Sequence, residues 1–398
     1  MLTPMVPSDT AASAGAIVMH DEVSAVASRH DVTLATLTSS DDDRAVDALR
    51  EMGVRVHAVP RREVNGVRGL LQRARIGRHW RTTDLPLRTV VFHEAAMQRA
   101  LDGLVGSAFD VVHVLDNAMA SYRRPPATAT MLTEYEVRID ADDAAVDASA
   151  SSADAEVERE RWARYQARVW SSVDRVQVFT ERDADHVRRL APSATQGITV
   201  NPFGVDVSPA DGTVAENPRS IVFVGGFRHP PNVDAAIWLA REIMPLVRAS
   251  QPGATLTIVG ADPPGAVTSL ASDSVTVTGR VASVEPFLRS AAVVAAPVRS
   301  GGGMRRKVLE AMALGRAVVT TTRGAEGVWN APEAPTLRVA DDAAGIARQI
   351  TALLSAPDER TALGAAARAA VVAHHDRSRF AERLLTLYES LRRPGVAA

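Results

Sequence analysis

The sequence predicts an α/β protein of two domains, each built on a parallel sheet flanked by helices. Three observations lead there. The chain has 398 residues, more than one ordinary hydrophobic core accommodates. Short apolar runs rich in Val, Ala and Ile alternate with helical stretches, which is the pattern of βαβ units. A break rich in Pro, Gly and Asn, from Ala191 to Asn217, interrupts that alternation near the middle.

Taken in order, Leu2 to Met5 reads as the tail of a first strand. The loop Val6 to Gly15 leads into a helix ending near Arg29. Val32–Leu37 and Val54–Val59 read as strands, with a helix over Asp42–Met52 between them. Ala108–Leu115 and Ala127–Leu132 are further buried strands. Arg61 to Arg81 carries many arginines with Val67, Leu70, Leu71, Ile76 and Trp80 interspersed. It is either a solvated helix or a basic face for an anionic membrane surface or lipid phosphate. Asp140 to Glu156 is dominated by Ala, Ser and Asp and reads as a loop. A helix follows over Val157–Ser172, then a strand over Asp174–Phe179. Thr180 caps a helix running to Leu190.

The second half opens with the strand Ser220–Val224 and the glycine turn Gly225-Gly226-Phe227-Arg228-His229. Pro230 and Pro231 delay the next helix to Val233. Strands are expected at Ala254–Val259, Val275–Val277, Ala291–Ala296, Ala317–Thr321 and Thr336–Val339. Helices are expected at Asp342–Leu354, Pro357–Ala373 and Ser378–Leu391.

Composition narrows the function. The formal net charge is −2 and aromatics make up 4%, a poor match for a nucleic-acid binder. With no cysteine there is no disulfide, thiolate zinc site or cysteine nucleophile, which fits a cytoplasmic location. No apolar run approaches the ~20 residues of a membrane span, and the N-terminus lacks the pattern of a signal peptide. No repeat of solenoid or propeller period is present. Asp140-Ala-Asp142 and Asp183-Ala-Asp185 have the D-x-D spacing of metal-dependent transferases, but that spacing is common by chance and no metal site is assigned.

Chemistry concentrates in Pro297 to Gly327, PVRSGGGMRRKVLEAMALGRAVVTTTRGAEG. A buried strand ends at Pro297. Gly301, Gly302 and Gly303 remove three side chains from the turn and let backbone approach a ligand. A helix follows, with Val308, Leu309, Ala311, Met312 and Leu314 apolar, and stops at Gly315. Strand, glycine turn and helix N-terminus together suit an anion. Arg305, Arg306 and Lys307 in the first turn oppose the helix dipole, a broken local rule that marks a functional position. Lys307 is also the one lysine in the chain. Glu310 shares its helical face and is placed to accept the vicinal hydroxyls of a ribose; an i,i+3 ion pair with Lys307 is the alternative.

GGGMRRKVLEAMALGRAVVTTTRGAEGV resembles the signature of the retaining glycosyltransferases of family 4, in the branch reading GGGMRxKxLEAMA. The resemblance implies a GT-B fold: two Rossmann-like domains facing a central cleft, with the C-terminal helix crossing back to the N-terminal domain. It divides the chain into residues 1–195 (acceptor side), 196–376 (donor side) and 377–398 (crossover helix). It implies sugar transfer, with retention, from a UDP- or GDP-type sugar to a hydroxyl of a glycan, lipid-linked or small-molecule acceptor, with no cofactor and no metal, and with peripheral contact at the inner membrane surface as an open possibility. Arg228, Lys307 and Glu310 become the catalytic residues. Gly15, Gly226, Arg280, Val281, Gly302, Gly303, Met304 and Arg305 become donor contacts. Most of the family has a first Glu where this chain has Gly302. A non-catalytic sugar-nucleotide binder therefore stays open. A GT-B epimerase is the other alternative, and Gly302 argues against it, since epimerisation needs acid–base carboxylates near the sugar. His113, Asp116 and Asn117, at the carboxyl end of a strand, are candidates for positioning an acceptor hydroxyl or taking its proton, a buried or solvated His113 being the alternative.

Overall fold

Apolar β-branched runs form two separate parallel sheets. The computed structural model describes residues 1–11, 13–62, 66–135, 137, 152–207, 214–330 and 335–391. It divides into unit 1, Met1–Asn201 with Ala381–Ala398, and unit 2, Pro202–Phe380.

The strands of unit 1 are β1 (Leu2–Thr3), β2 (Thr33–Thr38), β3 (Arg55–Pro60), β4 (Phe109–Leu115), β5 (Ala127–Thr133), β6 (Arg175–Val178) and β7 (Ile198–Val200). They pair in the order β3-β2-β1-β4-β5-β6-β7. Leu2 sits between Ala35 and Val114, so the strand order reverses beside β1. Ligands of such sheets bind outside the carboxyl ends at that reversal. One face packs Met97, Leu101, Trp162, Tyr165 and Trp170 into the core. Val23 and Val26 of the helix Ala14–Ala27 pack with Leu34 and Met131, joined by Leu384, Leu387, Tyr388 and Leu391 from the end of the chain. The last helix, Arg377–Leu391, thus starts in unit 2 and contributes side chains to the core of unit 1.

The strands of unit 2 are β8 (Asn217–Val224), β9 (Thr255–Val259), β10 (Val275–Val277), β11 (Ala291–Ala296), β12 (Ala317–Thr320) and β13 (Arg338–Val339), in the order β10-β9-β8-β11-β12-β13. Every residue of β11 is buried, as befits an inner strand covered on both faces. The helix Arg306–Ala313 ends in a full Schellman motif: Gly315 has φ +68°, its N–H donates to Met312 O, and the Arg316 N–H donates to Ala311 O.

Several elements differ from the sequence reading. The helix after the first glycine turn starts at Pro230, not Val233, because proline lacks only an N–H that is unpaired in a first turn anyway. It passes through a π-helical turn, Leu239–Ile243, ahead of Pro245. The acidic–basic helix starts at Ser152, inside the stretch read as loop, and Arg159–Glu156 and Arg164–Glu160 pairs support it. Ile198–Val200, inside the composition break, pairs with β6 and belongs to unit 1. Leu87–Val91 and Ala95–Asp102 are short helices without a sequence expectation. Arg61–Arg81 is helical from Gly66 on. Gly15 lies within the first turn of the helix Ala14–Ala27, so its place is helical rather than in the preceding loop. Asp140 and Asp142 lie outside the described residues. Among the described residues no helix is long and apolar enough to cross a membrane.

Candidate functional site

The carboxyl ends of β8, β9 and β10 hold three loops tied by backbone. The Gly225 N–H donates to Val259 O, Phe227 N–H to Ala261 O and Gly260 N–H to Gly279 O. The approach is so close that a Cβ on Gly260 would lie 1.9 Å from Gly225 O. A Cβ on Gly225 would lie 2.9 Å from Asn232 Cγ and 3.1 Å from Lys307 Nζ. Glycine at 225 and 260 is therefore a packing requirement.

Asn232 connects the turns. Its amide nitrogen donates to Gly226 O at 2.8 Å, and its side-chain oxygen accepts from Lys307 Nζ. The same ammonium stands 4.7 Å from the centroid of the Phe223 ring, a cation–π contact. Burial, and then the Arg305 charge, push the Lys307 amine down to about 7. Lys307 is thus a cation held at the edge of neutrality, which an incoming anion would charge.

The second glycine turn closes on the first. Gly301 and Gly303 have φ of +88° and +73°. A Cβ on Gly301 would lie 3.2 Å from Pro231 Cγ and 3.6 Å from His229 Nε2. Arg299 fastens this loop through a two-point ion pair with Asp234, at 3.0 and 2.6 Å, and lies 4.5 Å from the Trp238 ring centroid. Arg305 is turned inward: its guanidinium donates to the carbonyls of Ser300, Gly301, Gly302 and Gly303. The sequence reading gives Arg305 to a ligand; in the structure its buried side chain instead satisfies the glycine-turn carbonyls, leaving only its backbone available. Met304 is likewise buried, whereas Gly302 is half-buried.

Glu310 faces Arg306, whose Nε donates to Oε1 at 2.8 Å. This pair stands in place of the alternative i,i+3 pair with Lys307. Burial pushes the Glu310 carboxyl up, against Arg306, Lys307 and Arg377. Arg228 is exposed and pairs with Asp262 at 2.8 Å, and Arg280 approaches the same carboxylate at 3.6 Å. Asp262 has φ +56° and stands between the two arginines. Val281 follows at the rim, half-buried. Unit 2 therefore gathers Gly226, Arg228, Arg280, Val281, Gly302, Gly303, Lys307 and Glu310 at one end of its sheet. Asn232, Phe223 and Asp262 belong with them and carry no sequence signal beyond adjacency to the turns.

In unit 1, His113 is fully buried. Nδ1 bonds Tyr388 Oη at 2.8 Å, Nε2 bonds Thr133 Oγ1 at 2.7 Å, and burial pushes the ring down to about 3. It cannot take a proton near neutrality, and its candidacy as a base is withdrawn. Thr133 passes the contact on to Glu22 Oε1 at 2.9 Å, which also accepts from Gln177 at 2.6 Å. Tyr135 donates to the other oxygen of Glu22. Asp116 ends β4 with φ +93°, accepts from the Ala118 N–H and pairs with Arg88. Asn117 donates to Glu134, whose carboxyl burial pushes up to about 8. Among the described residues no group of three His, Asp or Glu side chains has the geometry of a metal site.

Residues 218–356 match the model of the family Glycosyl transferases group 1. A search of curated protein sequences finds no match. Among solved structures, a sucrose-phosphate synthase from Thermosynechococcus elongatus is 16% identical, with TM-score 0.66, over 98% of both chains. The Anabaena protein Alr3699/HepE, in complex with UDP and glucose, is 14% identical, with TM-score 0.64, over 98% of this chain and 99% of its own. A glycosyltransferase from Rickettsia africae is 13% identical, with TM-score 0.63, over 99% and 98%. These likenesses, with the two parallel sheets, show a GT-B fold.

Proposed function

We propose that this chain is a retaining glycosyltransferase that moves a sugar from a nucleoside-diphosphate donor to an acceptor hydroxyl, with unit 2 as the donor-binding half. One observation supports the reading furthest: at the carboxyl edge of the unit 2 sheet the second glycine turn packs on Pro231 and His229 of the first, whose Gly225 adjoins the Lys307 amine. Glycosyl transfer expels a nucleoside diphosphate, so negative charge grows on the leaving group. In this reading Lys307, Arg228 and the N–H groups opening the helix Arg306–Ala313 meet it, without calling on a metal. Arg280 and Val281 adjoin the nucleoside, and Glu310, oriented by Arg306, accepts the ribose hydroxyls. The sugar carbon becomes oxocarbenium-like. In this reading the acceptor attacks the face the diphosphate leaves, and the departing phosphate oxygen takes its proton, which accounts for retention.

The Anabaena protein binds UDP, so UDP-sugars are the donors to try first. Nucleoside-diphosphate release in the presence of acceptor extracts, with NMR of the product anomer, tests the reading. An inverted product removes the retaining mechanism. UDP binding with neither transfer nor hydrolysis favours a second reading, a sugar-nucleotide binder, for which Gly302 speaks because it offers the sugar no carboxylate.

A further inference from the structure

The carboxyl edge of the unit 1 sheet carries a cluster that no step above uses. Arg61 follows β3 directly, and Arg88 reaches the end of β4, where it pairs with Asp116. Both guanidiniums lie against one ring: their central carbons are 4.5 Å (Arg61) and 5.6 Å (Arg88) from the Phe92 centroid. Phe92 packs against the buried core, so the platform is fixed. Two cations sharing one aromatic ring repel each other. Burial, and the nearby Arg88 charge, pull the Arg61 guanidinium below its ordinary range, with Glu94 opposing. Among the described residues, the nearby carboxylates are already engaged. Asp116 accepts from Ala118 N–H and from Arg88, while Glu94 accepts from the Arg62 N–H at 3.2 Å and faces Arg62 Nε at 3.5 Å. Among the described residues, three arginines thus face two carboxylates. Among the described residues nothing accepts a hydrogen bond from the Arg61 guanidinium, which leaves its planar fork of donors open at a strand's carboxyl end.

A stacked guanidinium with open donors beside a second cation suits a tetrahedral oxyanion. We propose that Arg61 and Arg88 form a phosphate-binding subsite in unit 1, and that the acceptor is a phosphate-bearing molecule held there while its hydroxyl is glycosylated. The assignment of the bound molecule as acceptor rests on the transferase reading; the phosphate subsite itself does not.

The test is calorimetry of the full chain with glycerol phosphate, with UDP already saturating unit 2, and again on the Lys307→Ala variant to silence that site. Wild type binds glycerol phosphate, and Arg61→Ala weakens it at least about tenfold, the lower end for a charged hydrogen bond. Arg61→Lys keeps charge and loses the fork, and it falls between. It also serves if Arg61→Ala lowers the melting temperature. Flotation with phosphatidylglycerol vesicles against phosphatidylcholine vesicles separates the sources. Arg61-dependent binding to the anionic vesicles assigns a lipid headgroup; glycerol phosphate binding without vesicle binding assigns a soluble phosphomonoester. Equal affinity in wild type and Arg61→Ala, or no binding in either arm, overturns the subsite. UDP titrations on the same samples keep the two readings apart: wild type that binds glycerol phosphate but no nucleotide loses the transferase reading and keeps the subsite.

Discussion

Replacing Lys307 by Met separates the ligand from the fold. Met matches the aliphatic stem of Lys and carries no charge. In the folded chain burial brings the Lys307 amine from 10.5 to about 7, so the fold opposes its charge. The folded value lies below the unfolded one, so the folded state binds fewer protons between them and stability rises with pH across that window. Below the folded value the penalty is complete, roughly 2–5 kcal/mol, before crediting the hydrogen bond to Asn232 and the Phe223 contact. Lys307→Met should therefore raise the melting temperature at pH 6 by several degrees, at ~2–4 °C per kcal/mol for a domain of this size. The gain should shrink toward zero as the pH nears 10. The same substitution should weaken UDP by ~1.5–3 kcal/mol, or about 10- to 150-fold in Kd. Wild-type affinity should itself fall as pH rises through 7, because the bound diphosphate needs the protonated amine. Scanning calorimetry over pH, with titration calorimetry of UDP, reads both effects. A variant less stable than wild type at pH 6, with unchanged UDP affinity, would refute the placing of a strained cation in an anion site.

Other outcomes follow from the same structure. Gly260→Ala drives a methyl onto Gly225 O and should cost ~1–3 kcal/mol while weakening UDP; a stable variant with intact affinity would show that the two turns are not rigidly coupled. Arg228→Ala should leave the melting temperature nearly unchanged, since an exposed ion pair contributes ~0–1 kcal/mol, yet lower UDP affinity; titration without any loss removes Arg228 from the diphosphate. Burial holds the Glu22 carboxyl at about 7, so the protonated form favours folding and its contribution fades as pH rises through 7. Glu22→Gln should flatten the fall in stability between pH 5 and 8, and an unaltered pH profile contradicts the neutral carboxyl. Tyr388→Phe removes the partner of buried His113 and should cost ~1–3 kcal/mol in urea unfolding; no change would mean the hydroxyl is dispensable.

Much of unit 2 is legible in the sequence because its signals are local. Ala291–Ala296 is an uninterrupted apolar run ended by Pro297, and the helix after the glycines ends at a glycine in the left-handed conformation. What escapes reading is set by distant partners. Arg305 looks like a phosphate ligand from its neighbours, but four carbonyls of its own turn claim it. His113, at a strand end, reads as either a base or a buried group, and it takes Tyr388, distant in sequence, to fix it as the buried one. Arg88 and Asp116 meet only because a short helix after Pro86, too brief to show periodicity, returns to the sheet.

That meeting of His113 with Tyr388 has a consequence for synthesis. Unit 2 is contiguous, so it can complete its core as soon as it leaves the ribosome. Unit 1 cannot: its first two hundred residues emerge early, but Leu384, Leu387, Tyr388 and Leu391 arrive last. Until they do, Val23, Val26, Leu34 and Met131 lack part of their apolar cover, and the His113 ring lacks one of its two partners. The half translated first is the half finished last, against the usual N-to-C order of domain folding. A nascent chain stalled before residue 381 would present an incomplete core to chaperones and proteases, and the emergence of residues 384–391 would be the step that seals it.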